Sequence, residues 1–295
     1  MPARLDVLKT YKLFIGGAFP RSESGRSLPV AGSNGKPVAH IAHASRKDLR
    51  DAVEAARKAV TGWSGTTAYN RGQVLYRMAE MLEGKRLEFV EALRVSKRGP
   101  AGKGDAATSP AKEVDAAIDR LVCFGGWADK YGQVLGCNNP VSGPFYNFTV
   151  PEPTGVVGVV APSQAPLLGL VSLLAPVICS GNTAVALASE ASPLPGAILG
   201  EVCATSDVPA GVINILTGNR AELLPHFASH RDIDALHAAG LSADESQLLR
   251  EGAAENVKRV TVRGRTDWFD DVECHSPWWI EPFVEMKTIW HPSGA

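Results

Sequence analysis

Charge of one sign is what this sequence most lacks. Thirty Lys and Arg face 31 Asp and Glu, a formal net charge of -1, so there is no electrostatic case for nucleic acid or for an anionic membrane surface as partner. Paired cysteines are missing too. Cys123, Cys137, Cys179, Cys203 and Cys274 are widely spaced, odd in number and free of any Cys-x-x-Cys, which argues against a disulfide framework. A long uninterrupted apolar run is also absent. The most apolar stretch, residues 155–188, is broken by Pro162, Gln164, Pro166, Pro176, Ser180 and Asn182, whereas a membrane span needs roughly 20 apolar residues in one helix. The first residues, Met1-Pro-Ala-Arg-Leu-Asp6, lack the apolar core of a signal peptide, and the compartment expected is the cytoplasm. Phosphate-cradling P-loops, Gly-x-Gly-x-x-Gly turns and nucleophile elbows are not found. His226 and His230 have the spacing of two ligands on one helix face, but Pro225 and the lack of an intervening acid make them a helix end, and no metal site is expected.

What is present is a turn-rich globular composition: 45% hydrophobic, 21% charged, with 29 Gly and 20 Pro, and length enough for a sizeable core. Residues 1–12 read as a tail. Leu13 to Phe19 reads as a strand broken by a Gly-Gly turn. Ser45 is placed to cap a helix carrying Leu49, Ala52, Val53, Ala56 and Val60 on one stripe. Asn70 is placed to cap a second helix through Val74, Leu75, Met78 and Leu82, which continues or restarts through Phe89 and Leu93. Residues 96–110 read as an exposed loop, and Val114, Ile118, Leu121 and Phe124 mark a third amphipathic helix. Residues 133–143 are rich in turn formers, and Phe145 to Val150 reads as an exposed strand.

The pattern then changes. The β-branched run Gly155 to Ala161 predicts a strand covered on both faces, and Thr183–Leu187 and Val212–Leu216 predict two more. Helices are expected at 167–178, with Pro176 near its end, at 195–203 and from 221. Strand, helix, strand, helix, strand makes an α/β fold with right-handed crossovers and a parallel sheet.

Three of these segments, Glu152-Pro-Thr-Gly-Val-Val-Gly-Val-Val-Ala-Pro162, Ser180-Gly-Asn-Thr-Ala-Val185 and Val208-Pro-Ala-Gly-Val-Ile-Asn-Ile-Leu-Thr-Gly218, resemble consecutive blocks of the aldehyde dehydrogenase superfamily. Phe14-Ile-Gly-Gly17, Gly62-Trp-Ser-Gly-Thr-Thr67 with Arg71, Gly126-Trp-Ala-Asp-Lys130 and Ala254-Glu-Asn-Val-Lys-Arg-Val-Thr261 agree in order and spacing, and Phe283 to Trp290 resembles the family's last strand. The resemblance is closest to the non-catalytic second half of double-domain members. It implies a Rossmann-like parallel sheet with flanking helices and a small β oligomerisation element. It also divides the chain: a tail at 1–12, a helical part of the cofactor-type domain at 13–142, an oligomerisation strand region at 143–152, a Rossmann-like part at 153–269, a junction at 270–280 where the family carries its catalytic domain, and an oligomerisation strand at 281–295.

The resemblance also implies a set of functional groups, each of which can be sought here. The oxyanion asparagine of the family's Pro-Trp-Asn-Phe-Pro turn is matched by Pro162-Ser-Gln-Ala-Pro166, so Gln164 stands in its place beside Ser163. The extra methylene shifts the donor by about a bond length, serious where a donor must sit within roughly 2.7–3.1 Å of the developing charge. The ribose-binding lysine is replaced by Leu187, while Glu190 keeps the acidic position without its partner. In the pyrophosphate turn Gly240 remains, but the serine position is Leu241, and Ser242 with Glu245 forms a capping box that satisfies the helix N–H groups internally. The base glutamate is replaced by Arg263, which stays protonated and cannot accept a proton. Cys274, within the junction, is the last cysteine of the sequence, and its neighbour His275 is expected to point away from it.

No catalytic residue is therefore expected, and Ser163, Leu187, Glu190, Gly240 and Leu241 outline a vestigial cleft. The expected function is a catalytically inactive structural or assembly subunit, binding itself or an intact aldehyde dehydrogenase, with no cofactor. Two alternatives stand beside it: a subunit that binds NAD or NADP in a changed mode for aldehyde oxidation, and a module for another nucleotide or metabolite near Gln164, Glu190 and Gly240. The Trp278-Trp279 pair reads equally as exposed anchor or as core.

Overall fold

A computed structural model describes residues 7–32, 34–97 and 109–294. In chain order its elements are β1 (Thr10–Tyr11), β2 (Ser27–Ala31), β3 (Pro37–Ala42), α1 (Arg46–Ser64), α2 (Ala68–Gly84), α3 (Arg86–Lys97), α4 (Pro110–Trp127), α5 (Tyr131–Leu135), β4 (Cys137–Asn139), β5 (Phe145–Pro153), β6 (Val156–Val160), α6 (Pro166–Cys179), β7 (Thr183–Leu187), α7 (Leu194–Ala204), β8 (Ile213–Leu216), α8 (Arg220–Ser229), β9 (Ala235–Ala239), α9 (Ala243–Ala253), β10 (Arg259–Arg263), one helical turn α10 (Asp271–Cys274), two 3₁₀ turns (Pro277–Trp279 and Glu281–Phe283) and β11 (Val284–Pro292).

The α/β expectation holds. A five-stranded parallel sheet runs β10-β9-β6-β7-β8. Val156–Val160 and Thr183–Leu187 are buried throughout, as continuous apolar runs require when both faces are covered. On one face lie α1, α8 and α9, through Leu49, Val53, Phe227 and Leu249. On the other lie α6 and α7, backed by α2, α3 and α4, through Leu75, Phe89, Phe124 and Leu170. α6 is buried along its whole length, which explains why its sequence is apolar all round.

Several boundaries differ from the sequence reading. Thr10 and Tyr11, placed in the tail, pair in parallel with His40 and Ile41. Thr67, not Asn70, caps α2: its hydroxyl accepts the Asn70 N–H at 3.3 Å. Ser45 does cap α1, in a capping box with Asp48. Most of the loop expected at 96–110 lies outside the described residues. The turn-rich stretch 133–143 contains β4, whose partner β5 lies several residues away in sequence.

The small sheet has the order β11-β5-β4 and is antiparallel. β5 is its central strand, paired over its full length with β11. Pro151 and Pro153 are tolerated in a central strand because β4 stops opposite Thr149, so beyond that point β5 has no second neighbour requiring their N–H.

Candidate functional site

The chain leaves β6 toward β7 on one side, and β9 with β10 lies on the other. β6 and β9 therefore flank the topological switch point, and the crevice beyond their carboxyl ends is where open parallel sheets of this kind receive ligands. In this protein Arg220 occupies that crevice. Its Nη2 donates to Ala161 C=O, just beyond β6, at 2.9 Å, and its Nη1 to Gly240 C=O, just beyond β9, at 3.1 Å. The side chain is 12% exposed and lies 3.8 Å from the Glu245 carboxylate. Sequence reasoning missed this residue. The available signal was a basic side chain in the first turn of a helix, where the dipole disfavours it unless it folds away to other acceptors.

Two N–H groups of the same turn also have internal acceptors. Glu190 Oε2 accepts the Arg220 N–H at 2.9 Å, Glu190 Oε1 accepts from Asn219 Nδ2 at 3.2 Å, and Asn219 Oδ1 accepts the Glu222 N–H at 3.1 Å. Glu190 is thus part of the cap of α8. Leu187 is buried in the core between the sheet and α1. Leu241 is half-buried and packs against that core. The capping box of α9 is formed, with Ser242 Oγ accepting the Glu245 N–H at 3.1 Å and Glu245 Oε2 accepting the Ser242 N–H at 2.8 Å. Gly240 has φ +65, and a Cβ there would lie 3.0 Å from Pro162 Cβ, so close contact between the two strand exits requires glycine without any ligand.

Ser163 and Gln164 are exposed, in a turn that enters α6 through Ala165 at φ 46. No hydrogen bond of the Gln164 amide is found among the described residues, and the α6 N-terminus has another acceptor: Glu113 Oε1 takes the Leu167 N–H at 3.0 Å.

Arg263 ends β10 and is turned inward. Its Nε donates to His237 Nε2 at 3.1 Å, and its guanidinium lies 4.0 Å from the centroid of the Trp279 ring. His237 Nδ1 is 3.0 Å from Leu173 C=O. A carbonyl only accepts, so Nδ1 carries the proton and Nε2 is the acceptor for Arg263. Burial, then Arg263, hold the His237 pKa well below its ordinary value. Phe283 and Trp279 flank the imidazole at 4.6 and 5.9 Å between centroids, and Trp268 lies 6.1 Å from Trp279. Arg120, fully buried in α4, reaches this layer through Ser172 Oγ and the Trp268 C=O (2.9 Å).

Residues 264–283 thus form a packed cover over the far end of the sheet. The tryptophan pair divides: Trp279 is 2% exposed and belongs to the cover, whereas Trp278 is 56% exposed. Cys274 is buried in the cover, and burial pushes its thiol up to about 11, so it stays protonated at neutral pH and is a poor nucleophile. The His275 imidazole faces Asp271 at 3.4 Å. No group of three or more metal-ligating side chains is found among the described residues, and no helix among them is long and apolar enough to cross a membrane.

The sheet order, the turns that leave it and the flanking helices define a Rossmann-like class of protein. Residues 21–264 match the aldehyde dehydrogenase family, and the chain belongs to that family. It is 32% identical over 269 residues to "Aldehyde dehydrogenase, cytosolic 1" of Elephantulus edwardii, covering 89% of this chain and 52% of that protein. It is 34% identical over 262 residues to retinal dehydrogenase 2 of Mus musculus, covering 86% and 48%. A Bacillus cereus aldehyde dehydrogenase solved as an NAD+ complex superposes with TM-score 0.79 at 26% identity, over 86% of this chain and 51% of that one. The chain therefore spans about half the length of the relatives it matches.

Dinucleotide placed at the switch point does not fit the residues present. Arg220 fills the space between the strand exits, and the N-termini of α8 and α9 are capped by Glu190 with Asn219 and by Ser242 with Glu245. A pyrophosphate there needs free N–H groups and close backbone approach; the N–H groups of Arg220, Glu222, Ser242 and Glu245 are already taken, and the Arg220 side chain stands between the strand exits.

Proposed function

We propose that this chain is an aldehyde dehydrogenase-like protein that carries out no dehydrogenation by itself and serves as a structural subunit, assembling with itself or with an intact aldehyde dehydrogenase. The observation that carries the reading is the Arg220 bridge between Ala161 C=O and Gly240 C=O, which closes the crevice a nicotinamide dinucleotide would enter. Arg263 supports it: in the position the resemblance assigns to a general base, its guanidinium is committed to His237 and Trp279 and cannot take a proton. The vestigial positions Ser163, Gln164, Leu187, Glu190, Gly240 and Leu241 serve packing and capping in this reading. The cytosolic designation of one relative supports a cytoplasmic location.

The decisive measurement is nicotinamide reduction by the purified chain with NAD+ or NADP+ and a panel of aldehydes. No turnover above that of an Arg263→Ala control is expected; turnover that survives purification and falls on substitution of a residue of this chain would sink the proposal. The competing reading, a subunit that binds NAD(P) in a changed mode, draws on the acid retained at Glu190. Calorimetry separates the two. Micromolar dinucleotide binding that is lost in Glu190→Ala favours the second; no heat in either protein favours the first.

A further inference from the structure

Two histidines each stand by an arginine where the cover formed by residues 264–283 meets the rest of the molecule. His237 is fully buried in β9. Its Nδ1–H is committed to Leu173 C=O, and its Nε2 accepts from Arg263 Nε at 3.1 Å. Arg263 in turn lies against the Trp279 ring of the cover. His275 belongs to the cover itself. The Arg120 guanidinium acts on its imidazole from α4, and Arg120 Nη2 also donates to Trp268 C=O at 2.9 Å. The Arg263 bond requires a neutral His237, because a second proton leaves an imidazole with two donors and no acceptor. Donor would then face donor, and cation face cation, in a buried site. At His275 the same proton adds a positive charge beside Arg120, which is itself fully buried.

The charges around these rings are few. Among the described residues, Arg263 is the charged side chain that acts on His237; α6 presents it a carbonyl, and the cover presents Phe283 and Trp279. His275 has Arg120 and Asp119 on α4 and, within its own turn, Asp271 at 3.4 Å. The arginines are poorly neutralised. Arg120 has Asp271 at 3.8 Å, a side chain 67% exposed, and Arg263 faces Cys274 and Glu273. Burial first, then the arginine, holds each imidazole below its ordinary pKa.

We propose that the cover is an acid-released lid: one proton taken up by His237 and one by His275 part Trp279 from Arg263 and free residues 264–283 from the end of the sheet. Gly264 is one hinge; it is exposed, and a Cβ there would touch nothing within 4 Å. The other end stays anchored, because Phe283 C=O accepts from the Thr154 N–H (3.2 Å) and from Asn182 Nδ2 (2.8 Å), bonds in which no titrating group takes part. Opening bares Trp268, Trp279 and the apolar core against which they pack. It also gives water to Arg120 Nε, Arg263 Nη2 and His275 Nε2, which are buried without a hydrogen-bond partner among the described residues, a costly condition. The lid takes no part in the small sheet, so the inference stands apart from the assembly reading.

Opening returns both imidazoles to their ordinary pKa of 6.5. Below that pH the open form holds more protons than the closed one. The ratio of open to closed then rises with falling pH by up to about tenfold per unit for each histidine, and up to about a hundredfold for the two together. Above it the ratio is independent of these groups, and the cover stays part of the core.

The cysteines report the opening. Cys274 is buried in the cover, Cys137 is exposed, and Cys179 and Cys203 are buried in α6 and α7. Labelling with dithiodipyridine, a disulfide reagent that stays reactive in acid, is followed cysteine by cysteine by mass spectrometry between about pH 7.5 and 4.5. The Cys274 rate relative to Cys137 should be flat above about pH 6.5 and climb below it by more than about tenfold per unit, while Cys179 and Cys203 stay unlabelled. His237→Gln and His275→Gln each remove one proton site and should each limit the climb to about tenfold per unit; the double variant should abolish it. His275 is only partly buried, so its variant carries the test if His237→Gln does not keep the native circular dichroism. A native ratio indifferent to pH, or a climb that persists undiminished in the His275→Gln chain, overturns the proposal. Labelling of Cys179 and Cys203 in step with Cys274 overturns it too, because the whole chain is then unfolding.

Discussion

Trp278 and Trp279 are neighbours with opposite fates, and the difference is measurable. Trp279 is packed between Arg263, His237 and Trp268; truncating such a buried aromatic costs about 3–5 kcal/mol. Trp279→Ala is expected to lower the urea unfolding free energy by that amount, and Trp278→Ala to leave it within about 0.5 kcal/mol of native. Equal effects would show that the cover formed by residues 264–283 is not part of the cooperative core. His237 makes a separate prediction at the same scale. Its folded-state pKa lies below the unfolded value, chiefly through burial, so as pH falls the unfolded chain takes up the proton first. The stability of the neutral, buried ring is complete above about pH 6.5 and is lost below it at about 1.4 kcal/mol per pH unit. Urea titrations between about pH 7 and 5 should show this slope, and His237→Gln should flatten it. A variant with the native slope would place the acid sensitivity elsewhere.

At the scale of elements, the helix N-termini that could have served a phosphate are capped by the chain's own side chains. Ser242→Ala removes one arm of the α9 capping box and should cost about 1 kcal/mol of stability without creating dinucleotide binding, read by urea titration and calorimetry on the same sample. Binding gained by that single change would mean that the cap, and not Arg220, had closed the crevice. The caps were legible in advance: Ser242 and Glu245, three residues apart, state their own partnership, as does Ser45 before α1. Glu190 was less legible. Its cap partners, Asn219 and Arg220, lie about thirty residues on, and only the side-by-side exits of β7 and β8 bring them together. The start of α2 was misplaced for a simpler reason. Thr67 and Asn70 both have capping side chains, and the backbone decided in favour of the earlier one.

In the whole molecule, the two faces of the five-stranded sheet carry separate apolar clusters that share the same strands. Neither cluster can lose its packing while the sheet survives, so unfolding should be a single transition. Coincident urea curves from tryptophan fluorescence, dominated by buried Trp63, Trp268 and Trp279, and from far-ultraviolet circular dichroism would bear this out. Separated curves would show that the cover unfolds on its own.

By itself the sequence determined the parallel strands, because uninterrupted β-branched runs are tolerated where both faces are buried. It determined the starts of α1 and α9, because their capping boxes are local, and it put Leu187, Leu241 and Arg263 at positions where the resemblance implies polar or proton-accepting groups. The tertiary structure alone decided where Arg220 goes, which tryptophan is core, and that β5 and β11, more than a hundred residues apart, become neighbours with one edge left open. The reason is the range of the forces involved. Periodicity and capping report the burial and backbone of a few adjacent residues, whereas a guanidinium bridging two strand exits, or an outward-facing edge, exists only once the chain topology has set distant carbonyls and amides side by side.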